Sequence, residues 1–309
     1  MPPSKRLIVI AGPTASGKTA LAVRVAQRLG TEIVSCDSRQ FYKELAIGVA
    51  RPSKEELSAA RHHFIACRSV TEPYNVSQYE DEALSLLDTL FERHETVVAV
   101  GGSGLYIDAI CQGMARMPDP TPELRARLKK TIVEKGVEPL ILKLKELDPE
   151  YYSRCDLRNP VRVQRALEVI LTTGRPYSEV IAQSPTPRQF TVEKVAIELP
   201  PEILRRRIDD RVDAMFGDTT ESATETVSGN NLVGEARRVM AYRHLQPLNT
   251  VGYRELFAYF DGQCSLDEAR QRIKYNTWHY AKKQQTWLRR YNDIRWLKPE
   301  SMSEWVERL

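Results

Sequence analysis

Leu7–Ile10 is an unbroken apolar run, the pattern of a central parallel strand covered on both faces. It leads into GPTASGKT, residues 12–19, after which Leu21, Ala22, Val25, Ala26 and Leu29 recur at helical spacing until Gly30 ends the repeat. A second apolar run in IVSCDSRQFYKEL, residues 33–45, stops abruptly at Asp37, and a third, TVVAV at 96–100, ends in Gly101, Gly102 and Ser103. Between them, Ala83, Leu87 and Leu90 form the buried stripe of a helix for which Ser77 and Glu80 read as a capping box. From Met117 to about Arg188 the pattern changes to consecutive helices without a strand, and Thr121-Pro122 and Asn159-Pro160 mark two helix starts. The sheet resumes at VEKVAIELP, followed by a helix with Leu204, Ile208 and Met215 inward; Ser265 and Glu268 cap a long helix near the end of the sequence. The expected fold class is α/β, a parallel sheet flanked by helices: a core of residues 1–116 and 189–309 with an inserted all-helical subdomain at 117–188.

Composition adds exclusions. The 309 residues are 42% hydrophobic and 28% charged, enough for a packed core. No apolar run approaches the ~18 residues of a membrane helix, and the first residues do not resemble a signal peptide. Cys36, Cys67, Cys111, Cys155 and Cys264 are scattered without a C-x-x-C pair, which argues against a zinc site or a disulfide framework and fits a reducing, cytoplasmic setting. The net charge of +4 is uneven: between Arg270 and Lys298 nine Lys or Arg accompany one acid, Asp293. That block is either a solvated helix face or a site for a polyanion. His62 and His63 have no spaced partners, so a metal role is not expected of them.

The chemistry begins at the glycine loop. Gly12, Pro13, Thr14, Ala15, Ser16, Gly17, Lys18 and Thr19 fit G-x-x-x-x-G-K-[ST] between a strand and a helix, the P-loop NTPase-like arrangement. Backbone N–H groups and the helix N-terminus face an anion, Lys18 adds a point charge, and the Thr19 hydroxyl suits magnesium. The loop therefore predicts a di- or triphosphate ligand. Nucleotide hydrolases usually place a metal-binding acid at the end of another apolar strand, but the run at 96–100 ends in glycines and Ser103, which argues against an ATPase motor. The strand-end acid is Asp37, beside the loop at the carboxyl edge of the sheet. On position alone it is either a helix cap or a base toward a second substrate, and Ser38, Arg39, Gln40 and Tyr42 supply polar and aromatic company.

The blocks GPTASGKT, DSRQFY, IGVARP, VGGSGLY, NPVRVQRALEV, LNTVGYREL and YAKKQQTW occur in this order. Together they resemble the tRNA dimethylallyltransferase (isopentenyltransferase) family from residue 7 to about residue 290. The resemblance implies transfer of the dimethylallyl group from dimethylallyl diphosphate to N6 of the adenosine 3′-adjacent to the tRNA anticodon, with release of diphosphate. It makes Lys18, Asp37 and Ser103 the catalytic set, with Asp37 as the base that takes the amine proton and Ser103 holding the amine or orienting Asp37. The cradle and an arginine of the 205–211 stretch, Arg211 in preference to Arg207, would bind diphosphate with magnesium at Thr19. Transfer RNA contacts fall on Asp37, Ser38, Arg39, Gln40, Ser103, Arg125, Val161, Arg162, Val163, Gln164 and Arg165, the helical insertion gripping the anticodon stem. The last basic helix offers Lys274, Lys282, Lys283, Arg289 and Arg290, interleaved with Trp278, His279 and Tyr280, for phosphates and stacked bases. Trp287 and Tyr280 are alternatively core. The family more often has arginine where Trp278 stands, and it usually has only a few residues where GDTTESATETVSGNN, 217–231, occurs. A monomer without membrane attachment is expected. Competing readings are prenylation of free adenine nucleotides, as in cytokinin-forming enzymes; a small-molecule kinase with Asp37 activating a hydroxyl; and a remote non-catalytic RNA-binding role.

Overall fold

A computed structural model of the chain describes residues 5–182, 187–217 and 230–309. The polar stretch at 217–231 thus lies almost wholly outside the described residues. Two compact units emerge, one of residues 112–187 and one of the remainder. The helical unit begins at 112, five residues before the change in sequence pattern at Met117.

The larger unit opens with β1 (Arg6–Ala11), α1 (Lys18–Leu29), β2 (Ile33–Ser35), α2 (Lys54–Ala59), β3 (His62–His63), α3 (Val76–Leu90), β4 (Thr96–Gly101) and α4 (Gly104–Cys111). The helical unit holds α5 (Pro122–Lys135), α6 (Glu138–Leu147), α7 (Pro149–Arg154), α8 (Pro160–Thr173) and α9 (Tyr177–Ile181). The larger unit then resumes with β5 (Thr191–Ile197), α10 (Pro201–Phe216), α11 (Leu232–Arg238), α12 (Tyr253–Phe260), α13 (Leu266–Leu288), β6 (Ile294–Leu297) and α14 (Met302–Glu307).

The sheet order is β3-β2-β4-β1-β5-β6, every pairing parallel. Leu7 to Ile10 in β1 are fully buried, and Ile10 pairs with Val100 on one side and Val195 on the other. This is why β1 reads as continuous apolar sequence: helices cover both of its faces. β4 lies between β1 and β2, so Asp37 approaches the glycine loop from two strands across, and the strand ending in Ser103 is the fourth along the chain because the histidine pair forms β3. His63 is held at the sheet edge by Glu32 at 2.6 Å, and among the described residues no group of three or more His, Cys, Asp or Glu could hold a metal.

The capping box of α3 also moves. Asn75 accepts from Ser77 N and Gln78 N while Gln78 returns to Asn75 N. The helix starts before Ser77, and Glu80 is turned inward to pair with Arg188 at 2.7 Å. The other caps form as read: Ser265 with Glu268, Thr121 before Pro122 and Asn159 before Pro160.

At the carboxyl end of β4 the backbones close tightly. A Cβ on Gly101 would lie 2.5 Å from the Cys36 carbonyl oxygen, a backbone atom with no room to retreat. Gly101→Ala is therefore expected to cost about 1–3 kcal/mol, to be measured as a lowered midpoint in urea unfolding; an unchanged midpoint would mean that β2 and β4 separate more easily than their packing indicates.

The helical unit has its own core of Leu128, Leu140, Leu144, Val163, Ala166, Leu167 and Ile170. Val163 was expected at a tRNA contact, but its side chain is fully buried there, because α8 must bury one stripe to fold against α6 and α5. Val161 and Arg162 are exposed, as a contact requires. Arg125, Gln164 and Arg165 converge on the buried carboxylate of Glu168, at 3.4, 2.9 and 3.4 Å. No helix of the described residues is long and apolar enough to cross a membrane, and all five cysteines are free.

Candidate active site

The glycine loop leaves β1 and enters α1 through two left-handed residues, Ala15 at φ 64° and Gly17 at φ 92°. For Gly17 this is cheap; for Ala15 it costs of order 1–3 kcal/mol, strain of the kind kept where a backbone must present its N–H groups in one direction. Gly17 is also the N-cap of α1 and supplies no side-chain acceptor, so the first-turn N–H groups are left for an anion. The Ser16 hydroxyl, on a residue 2% exposed, has no partner.

Three cations surround this turn. Lys18 Nζ donates to the Pro13 carbonyl at 3.3 Å, Arg211 Nη1 to the Thr14 hydroxyl at 2.9 Å, and Arg207 Nη1 to the Ser16 carbonyl at 3.3 Å. Arg211 lines the cavity and Arg207 does not, which separates the two arginines that spacing left equivalent. Burial lowers the pKa of Lys18 and of Arg211. Lys18 falls from 10.5 to about 8, by burial first, with the nearby Asp37 carboxylate opposing and Arg211 reinforcing the fall. Arg211 is lowered by burial against the pull of Asp37.

The cavity, about 240 Å³, is lined by Thr14, Ala15, Gly17, Lys18, Thr19, Ala20 and Arg211 from the cradle side. Asp37, Gln40, Val49, Ala50, Arg51, Ser53 and Glu56 line it from the other. Asp37 is not a helix cap. Its Oδ1 accepts Arg39 N at 3.0 Å in a tight turn, and the helix that follows is capped by Ser53. Ser103 reaches across from the end of β4: its hydroxyl accepts Ser38 N at 3.1 Å and meets Ser38 Oγ at 3.2 Å. Arg39 donates to the carbonyls of Gln246 and Pro247, and Gln40 Nε2 to those of Val49 and Ala50. Both side chains thus fix the frame of the cavity. A larger cavity, about 530 Å³, opens at the ends of β5 and β6 beside Trp296, Arg289 and Lys298; it contains no part of the cradle, and chemistry outweighs size here.

Two framework residues escaped the sequence reading. Gln284 in α13 accepts Thr14 N at 2.9 Å and donates to the Gly102 carbonyl at 2.8 Å, tying the cradle to the end of β4. Glu235 in α11 accepts Ala46 N, Ile47 N and Gly48 N at 2.9 Å each and the Tyr253 hydroxyl at 2.6 Å, joining the IGVARP and LNTVGYREL blocks. Its signal was present: an acid inside the buried stretch LVGEA. The basic helix is less free than its composition suggests, since Arg270 and Lys274 are both paired to Asp213. Trp287 packs against Gly104 and Trp278 joins a core cluster beneath Arg205.

The family model described as IPP transferase matches residues 40–291. The tRNA dimethylallyltransferase of Christiangramia forsetii is 43% identical over 301 residues, covering 97% of this chain and 96% of that protein. The chain belongs to the IPP transferase family. Another member, tRNA dimethylallyltransferase 1 of Bacteroides thetaiotaomicron, is 42% identical over 98% of this chain and 94% of its own length. Among solved structures, the full-length tRNA isopentenylpyrophosphate transferase of Bacillus halodurans superposes with a TM-score of 0.67 at 30% identity, covering 98% of this chain and 95% of that one. A eukaryotic dimethylallyltransferase acting on tRNA shares the fold, with a TM-score of 0.77 at 24% identity over 98% of this chain and 76% of its own. As in P-loop NTPase-like proteins, this IPP transferase places its cradle at the carboxyl edge of a parallel sheet flanked by helices.

The Lys18 shift has a measurable consequence. The protonated amine attracts phosphate oxygens and the neutral amine does not, so affinity for inorganic diphosphate is expected to fall as pH rises through about 8. Titration calorimetry would show it; an affinity flat from pH 7 to 9.5 would remove Lys18 from the anion site. Stability runs the other way. Between about 8 and 10.5 the unfolded chain holds a proton on Lys18 that the folded chain lacks, so this group's contribution to stability rises with pH across that window.

Proposed function

We infer that this IPP transferase is a tRNA dimethylallyltransferase, an enzyme that moves a dimethylallyl group from dimethylallyl diphosphate to N6 of the adenosine 3′-adjacent to the anticodon. The observation that carries the reading is one cavity with a cationic phosphate cradle on one side and the Asp37 carboxylate on the other. The curated relatives that cover nearly the whole chain bear that activity in their names.

The cradle takes the diphosphate. Breaking the allylic C–O bond builds negative charge on the leaving oxygens, and Lys18, Arg211 and the N–H groups of the loop stabilise it there. A magnesium ion fits this donor set: Thr19, a hydroxyl-bearing residue, lines the cavity, and magnesium commonly takes its remaining ligands from phosphates and water. When bound it would neutralise leaving-group charge. The adenine amine is a weak nucleophile because its lone pair is shared with the ring. Asp37 accepts its proton as the C–N bond forms, and Ser103, tied to Ser38, holds the turn that aims the carboxylate. Arg39 and Gln40 keep the surrounding loops in place. In the helical unit, Val161 and Arg162 with Arg125, Gln164 and Arg165 supply contacts to the tRNA stem. We place the reaction in the cytoplasm and assign it to a monomer.

A free-nucleotide prenyltransferase would use the same cavity, but it would leave the helical unit without a partner, and these relatives are named for tRNA. A kinase has the same difficulty. One incubation separates them: the protein with magnesium, dimethylallyl diphosphate and either an anticodon stem-loop or AMP. Prenyl mass gained on the RNA alone is expected. Gain on AMP alone, or phosphorylation by ATP without prenyl transfer, would replace this reading.

A further inference from the structure

One row of α13 lies along the site. Gln284 bridges Thr14 and Gly102, and Trp287 fills the space over Gly104, where a Cβ would approach its ring to 2.2 Å. Tyr280 continues this row one turn toward the N-terminus. It differs from its neighbours in being left uncovered, at 40% exposure. Desolvation first, and then the Asp37 carboxylate, push its pKa up to about 12, against a hydrogen bond with the Ser103 side chain. Tyr242 and Tyr275 are also exposed, but Tyr242 lies outside α13 and Tyr275, nine residues from Gln284, falls on the opposite face of the helix.

We propose that Tyr280, exposed one turn from the Gln284 bridge, is the stacking platform for the adenine that receives the prenyl group, its ring face taking the base. The assignment rests on the tRNA reading above. A base modified at its exocyclic amine must leave its stack, and an exposed aromatic face replaces the neighbours it loses. The row over the cradle explains why the platform is rigid: α13 is pinned at Gln284, four residues away. A stacked purine with its amine edge toward Ser103 and Asp37 would lie beside the proton acceptor and open to the allylic carbon.

The test uses the whole protein and an anticodon stem-loop carrying 2-aminopurine in place of the target adenosine. Wild type and Tyr280→Phe should bind it with the fluorescence quenched by the ring, and Tyr280→Leu should bind it with the fluorescence bright. With the ordinary stem-loop, kcat/KM should fall about ten- to a hundredfold in Tyr280→Leu, the range that one base–aromatic stack supports, and much less in Tyr280→Phe. Should the leucine variant not fold, Tyr280→Met provides the same contrast. Equal quenching in wild type and the aliphatic variant, or equal losses in Tyr280→Phe and Tyr280→Leu, would overturn the proposal. Failure of wild type itself to prenylate the stem-loop would instead overturn the tRNA reading.

Discussion

Asp37→Asn is expected to slow prenyl transfer about 10²- to 10⁴-fold under single-turnover conditions with saturating donor. Asparagine is the informative replacement because its amide oxygen can still accept Arg39 N, so the turn survives while the proton acceptor is lost. Lys18 and Arg211, the residues proposed to hold the donor, line the other wall of the cavity. A second consequence follows from charge. Asp37 holds the Lys18 pKa up against burial, so in the variant Lys18 should lose its proton at lower pH, and the pH limit of diphosphate binding should move down with it. Near-normal turnover would leave Asp37 as a structural turn residue only. A slow variant whose donor affinity had collapsed at every pH, including where Lys18 keeps its proton, would point to a misplaced loop and not to a missing base.

Glu235→Gln is expected to lower stability by about 3 kcal/mol or more, because hydrogen bonds to a charged acceptor each contribute about 1.5–3 kcal/mol. Both carboxylate oxygens are engaged: Oε2 accepts Ala46 N and Ile47 N, and Oε1 accepts Gly48 N and the Tyr253 hydroxyl. An amide NH₂ group in either orientation would face donors and leave buried N–H groups without an acceptor. Urea unfolding measures the loss. A change within ~0.5 kcal/mol, the usual range for surface substitutions, would mean that the 46–48 loop can satisfy itself elsewhere. The same clamp gives Gly48 its role, since a Cβ there would lie 2.6 Å from the Tyr253 hydroxyl.

Much of this site was readable from residues alone because local chemistry determines it. The cradle needs a strand, a loop that turns left-handed at Gly17, and a helix start, and each leaves a mark within a few residues. Asp37 stood out because a carboxylate interrupts an apolar run. Lateral strand order left no such mark: nothing in the runs at 33–35 and 96–100 tells which will lie beside β1. Long-range clamps were hidden for the same reason. Glu235 meets a loop almost two hundred residues earlier in the chain, and Gln284 meets Thr14 at a separation of 270. Val163, expected at a tRNA contact, has its side chain buried, because membership in a matched block says nothing about which residue of a helix faces inward. Arg270 and Lys274 show that a basic run read from composition includes charges already neutralised by a neighbouring element, here Asp213 in α10.

The central claim is spatial: a leaving diphosphate and an adenine amine meet between the glycine cradle and Asp37. The most direct measurement is a crystal structure with an anticodon stem-loop and an unreactive thio-analogue of dimethylallyl diphosphate. The expected result has the Asp37 carboxylate within about 2.6–3.2 Å of N6, on the far side of the allylic carbon from phosphates held by Lys18 and Arg211. An adenine seated elsewhere, with Asp37 turned to solvent or bonded only to Arg39 N, would contradict it.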